Sequence, residues 1–117
     1  MKYLSMTIAK SISFLIFALT AIPAADAGYG SGLVTRVYVI DDQVIFAVDR
    51  HDSAPACGIG AYSNEFVFSA TSASGKNMYA LLLAAASNKK QITVVGTGDC
   101  SVVWPNRESA HYFYVAF

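Results

Sequence analysis

The segment 72–98, SASGKNMYALLLAAASNKKQITVVGTG, sets a helix between strands and limits the fold more than any other part of the chain. Ser72 or Ser74 can accept a hydrogen bond from the free amides of a first helical turn. Met78, Leu81, Leu82 and Ala85 recur at helical spacing, and Lys89 and Lys90 stand near the end, where the helix dipole favours cations. These features predict a helix over 74–87. Its run of alanines allows close packing against a sheet, and the β-branched residues of 91–95 return the chain to strand.

The remaining pattern is β. Residues 33–40 (LVTRVYVI) and 44–48 (VIFAV) are strand-like, and Asp41, Asp42 and Gln43 between them make a hairpin turn. Val44, Phe46 and Val48 share one face, taken as core. The segment 51–63 reads as a long connection, followed by a third strand at 65–70 with Phe66 and Phe68 on its core face. After the fourth strand, 96–99 reads as a turn and 100–108 as a second long loop. The last strand, 109–117, sets His111, Phe113 and Val115 against Tyr112, Tyr114 and Ala116. The order strand, strand, strand, helix, strand, strand predicts a mainly β fold, a five-stranded OB-type Greek-key barrel with one helix. A split sheet covered by the helix is the competing arrangement.

The front of the chain differs in kind. Lys2 and Lys10 precede an apolar run at 12–22, then Pro23 and the small-residue end Ala25, Asp26, Ala27. That order predicts a secretory signal peptide over 1–27, cut between Ala27 and Gly28, with 28–117 as one small domain. An uncleaved anchor is the alternative, but the apolar run is short for a permanent span and no stable membrane insertion is expected after cleavage. Export to the periplasm or beyond agrees with the only two cysteines, Cys57 and Cys100, which are expected to form a disulfide. Closing that loop would stabilise so small a domain by roughly 4 kcal/mol in the chain-entropy picture.

Charge and motifs exclude several functions. From Gly28 onward six Lys/Arg stand against seven Asp/Glu, a balance of about −1 with no basic footprint for nucleic acid. His51 lies close in sequence to Asp49, Asp52 and Ser53, but catalytic triads and metal sites are spatial arrangements, and a solvated polar loop is the simpler reading. No Walker, dinucleotide, H-E-x-x-H or G-x-S-x-G pattern occurs, so neither cofactor nor metal is expected. The informative residues are aromatic and cationic. With Val37 and Val39 inside, Arg36 and Tyr38 face out, and with Tyr112 and Tyr114 they form a candidate stripe for a ligand or interface. The reverse phase, with a tyrosine set turned inward by a bulge, is equally open.

GLVTRVYVI (32–40), MYALLLAAASNKKQITV (78–94) and Cys100 together carry a resemblance. The chain resembles a group of small secreted bacterial proteins of largely unassigned function. They share a hairpin beginning near G-x-V/I-T-R-V/I-Y, a W/Y-x-x-L-L-A-A helix, a Lys-led β-branched strand and a Cys soon after. More distantly, by topology, it is similar to the OB-fold B subunits of pentameric bacterial toxins. That likeness implies glycan binding, homo-oligomers and a catalytic activity housed in another chain. It transfers no sugar-binding residue.

The expectation is a secreted or periplasmic, non-catalytic binding module for a glycan or protein partner, able to form homo-oligomers. A small secreted enzyme or enzyme inhibitor using the His51 loop is one alternative, and a structural envelope component is another.

Overall fold

The computed structural model describes residues 27–52 and 60–116. A hairpin starts the fold: β1 (Tyr29–Ile40) pairs antiparallel with β2 (Gln43–Asp52) across Asp41 and Asp42. Asp41 takes φ 55°, a left-handed conformation that a short polar side chain tolerates in a tight turn. The glycine-rich lead-in at 29–32, which has little strand propensity of its own, is strand. It pairs with β2 on one side and with β4 (Ile92–Cys100) on the other, so ladder hydrogen bonds override weak propensity. Glycine is required at Gly30, because a Cβ there would lie 2.7 Å from Cε2 of Phe66.

β3 (Glu65–Ser69) follows, then α1 (Ala73–Ser87), β4 and finally β5 (Glu108–Val115). The five strands close into a ring in the order β1-β2-β3-β5-β4. A short parallel contact between β3 and β5 (Phe66 to Glu108, Val67 to Ser109) and the antiparallel β1–β4 ladder complete the circuit. The split-sheet alternative is therefore replaced by a closed one.

α1 begins one residue before the predicted range and ends where expected. Ser72 is the cap, its Oγ accepting from Gly75 N at 2.9 Å, and at the other end Asn88 Nδ2 donates to the Ala84 carbonyl at 2.8 Å. Leu82 and Ala85 are buried in the core with Val44, Phe46, Val48, Phe66, Phe68, Ile92, Val94 and Phe113. Phe46 is central, its ring 5.8 Å from that of Phe66 and 5.5 Å from that of Phe113.

Four expectations change. First, 96–99 is not a free turn: Gly96 pairs with Ala110 and Cys100 with Glu108, so β4 runs on to Cys100. Second, His51 and Asp52 belong to β2 rather than to a loop. Third, the β4–β5 register shifts between Val95 and Gly96. Ala110 then packs on the core, and His111, expected on the inward face, is exposed. Fourth, Val39, expected inside, is 46% exposed beside the hairpin turn, where the ring no longer covers it. The expected leader up to residue 26 and Cys57 lie outside the described residues, while Cys100 is exposed at the end of β4. Among the described residues no helix is long and apolar enough to cross a membrane.

The middle of β2 and β3 is covered on both faces, since Ile45, Ala47 and Val67 are buried as well as their inward neighbours. On the outer side of β3 lies the 101–107 connection, with Arg107 bonded to Glu65 and with Val67, Val102 and Val103 among the residues lining one groove. Leu82→Ala should cost about 3 kcal/mol in urea denaturation, because Leu82 is fully buried between α1 and the ring. Leu83→Ala, at a position 42% exposed, should stay within about 0.5 kcal/mol by the same measurement.

Candidate ligand-binding surface

Arg36 and Tyr38 do not stand with Tyr112 and Tyr114. They occupy the half of β1 that pairs only with β2, whereas Tyr112 and Tyr114 lie beyond β4 on β5. Both face out, one of the two phases the sequence left open, but a buried carboxylate recruits them. Glu65 accepts from Arg36 Nε at 3.0 Å and from the Tyr38 hydroxyl at 2.9 Å, and it also pairs with the Arg107 guanidinium. Arg107 donates in turn to the Tyr38 oxygen at 2.8 Å and lies 4.0 Å over the Tyr62 ring. Burial alone raises the Glu65 carboxyl, but the bonds from Arg107, Arg36 and Tyr38 outweigh it and hold the group below the usual carboxylate range. Burial and the hydrogen bond to Glu65 push the Tyr38 phenol up. Such a satisfied network anchors the 101–107 connection to the sheet. Arg36, with half its side chain exposed, still reaches solvent.

His51 and Asp49 separate in the same way. Asp49 Oδ2 accepts from Leu33 N at 2.7 Å on the exposed side, at an irregularity in the β1–β2 register. The His51 side chain is fully buried, its ring 4.1 Å from that of Phe66 and its Nε2 2.7 Å from Glu108 Oε1. Burial raises the Glu108 carboxyl, but the His51 bond and the Gly28 and Gly98 amides overcome this and lower it. An ionised carboxylate only accepts, so Nε2 is the donor, and Nδ1 is buried without a partner. In this arrangement the ring is enclosed between Phe66 and Glu108 and is not open to solvent. Among the described residues no three His, Cys, Asp or Glu side chains converge as a metal site would require.

What remains open to solvent is a tyrosine face. Tyr112 and Tyr114 are about half exposed, and Tyr29 joins them at 44% exposure. Register explains the grouping, since Tyr112 and Tyr29 both pair with Val95, and Tyr114 and Ser31 both pair with Thr93. Tyr29 therefore sits two strands from Tyr112, about 10 Å away on the same outer side. The second row continues from Ser31 to its β2 partner Arg50, which donates to Ser31 Oγ at 3.1 Å. There it meets a cleft of about 210 Å³ lined by Ser31, Gly32, Asp49, Arg50 and Gln91. Sequence reading missed Tyr29 because its glycine neighbours carry no strand signal. The alternation of Tyr29 and Ser31 was the available hint.

A second, larger groove of about 320 Å³ lies between the start of α1 and the 101–103 segment. Serine hydroxyls and Gln43 line it, and His111 stands at its edge against the Tyr112 ring, 5.1 Å between centroids. The chain has no match among protein-family models, curated proteins or solved structures.

The stability that Glu65 and Glu108 contribute exists above their unfolded value near pH 4.3 and is lost as pH falls through their lowered folded values. Glu65→Gln should cost roughly 3–5 kcal/mol at pH 7, because Arg107 is left buried without its anion. In paired urea titrations that gap should narrow toward pH 3. A gap unchanged with pH would assign the loss to shape and not to charge.

Proposed function

We propose that this chain is an exported, non-catalytic carbohydrate-binding module that uses the outer face of β5, β4 and β1. The observation that carries the reading is the pair of register rows, Tyr112–Val95–Tyr29 and Tyr114–Thr93–Ser31–Arg50, running into a polar cleft. Tyrosine rings offer flat faces to the C–H side of a sugar ring, and their hydroxyls stay in water. Arg50, Asp49, Gln91 and Ser31 supply the donors and acceptors that fix sugar hydroxyls. The buried ionisable groups, Glu65 with Arg107 and His51 with Glu108, are occupied in holding the fold and face no substrate.

An OB-type Greek-key barrel is the fold of this reading, supported by the ring order, the parallel β3–β5 contact and the helix between β3 and β4. A leader over 1–27 and a Cys57–Cys100 disulfide belong to it, and the absence of a free cysteine among the described residues supports the latter. A protein partner, including a second copy of the chain, is the second reading. It is favoured by Val102 and Val103, 97% and 56% exposed beside the larger groove.

Glycan arrays with the purified protein should give a defined set of sugars. Tyr114→Ala and Tyr29→Ala should each weaken binding about tenfold or more, whereas Leu83→Ala should not. Silence on the array, or binding untouched by both tyrosine changes, would sink the carbohydrate reading. Loss of self-association on Val102→Asp, followed by light scattering, would support the second one.

A further inference from the structure

Glu108 is completely buried, and its surroundings are unusual for a carboxylate. Its Oε2 accepts from Gly28 N at 2.7 Å and from Gly98 N at 2.9 Å, while Oε1 takes the His51 Nε2 hydrogen bond. Among the described residues no Lys or Arg pairs with it. A buried anion held only by amides and an imidazole lacks the fixed cation that would offset its desolvation. One of the two nitrogens that approach it to 2.7 Å belongs to the residue that follows the expected leader cut. Ala27 is exposed and Gly28 is buried, so the Ala27–Gly28 bond marks the point where the chain passes from solvent into the ring. Gly28 is held there on its other side too, its carbonyl accepting from Gly96 N at 2.9 Å. Only glycine fits, since a Cβ would overlap the Glu108 carboxylate and approach His51 Nε2 to 2.6 Å.

We propose that leader removal between Ala27 and Gly28 creates the missing cation, with the new α-ammonium of Gly28 forming a buried ion pair with Glu108. Hydrolysis of that peptide bond takes up one water, leaves the Ala27 carboxylate on the leader and turns the Gly28 amide into an amine that is protonated at neutral pH. One N–H keeps its place on Oε2, and the position vacated by the Ala27 carbonyl opens the other two to water. The precursor thus lacks a stabilising ion pair that the processed protein has, and full stability follows export. This inference rests on the leader reading above but not on carbohydrate binding.

The sign of the pH dependence is set by the amine. A free α-amino group titrates near pH 7.7–8.0, and a carboxylate partner raises that value in the folded state. The gain is therefore present below about pH 7.7 and lost as pH rises through the raised value. On the strand segments meeting there stand His51, which faces Glu108, and Tyr29, Asp52 and Asp99, all three exposed. These groups are present in both comparison proteins, as are the remaining titratable groups of β1, β2, β4 and β5.

The test expresses the full chain with its leader in a bacterial host and compares it with a variant carrying one serine inserted between Ala27 and Gly28. After processing, that variant keeps the Gly28 amide on Glu108 but moves the ammonium one residue outward. Mass spectrometry should find Gly28 as the first residue of the exported wild type. Its Tm at pH 6.5 should exceed that of the insertion variant by roughly 5–10 °C, a gap that closes toward pH 10.5. Glu108→Gln, if it folds, should abolish the gap. Equal Tm values at pH 6.5, or a gap independent of pH, would overturn the ion pair, and a first residue other than Gly28 would overturn the leader reading on which it stands.

Discussion

Every strand of the ring meets at Glu108. The carboxylate belongs to β5, accepts from Gly98 of β4 and from Gly28 at the threshold of β1, and takes a proton-bearing nitrogen from His51 of β2. The His51 ring then lies against Phe66 of β3. A closed sheet has no free edges, but its closing seams are short here: four residue pairs join β1 to β4 and two join β3 to β5. A buried, fully bonded carboxylate at that point sets the register of several strands together, because any slip would strand an anion in a medium that cannot solvate it.

Glu65 applies the same physics on the outside of the sheet. Apolar burial holds β2 and β3 to the core, but it does not position an irregular seven-residue connection. The Glu65 carboxylate does so by drawing Arg107 against Tyr38 and Arg36. The charged residues that look most chemical in this chain are therefore consumed by architecture. On the outer face of β5, β4 and β1 the ring leaves Tyr112, Tyr114 and Tyr29 about half exposed to solvent, and the carbohydrate proposal rests on that face.

The strands, the helix and their order were legible because periodicity and capping are local. Ser72 caps α1, Leu82 and Ala85 point inward, and Phe46, Phe66, Phe68 and Phe113 form the core as their alternation predicts. For Arg36, Tyr38, Tyr112 and Tyr114 alternation left two phases equally open, and the outward one is decided by the ring. Their grouping was not legible either, since β4 intervenes between β1 and β5 and two register shifts in β1 decide which residues stand in a row. Tyr29 and His51 were misread because both lie in segments whose strand character comes from partners distant in sequence.

From sequence alone come the β-rich class, the position of the one helix, the identity of the aromatic core and the expectation of export. Ring closure, the pairing of Glu108 with His51, the diversion of Tyr38 into the Glu65 network and the assembly of Tyr29 with Tyr112 and Tyr114 were decided only by tertiary structure. The reason is one of range. Side-chain alternation repeats every two residues and can be read along the chain, whereas register between strands depends on bulges and buried polar bonds that link residues as far as 80 positions apart.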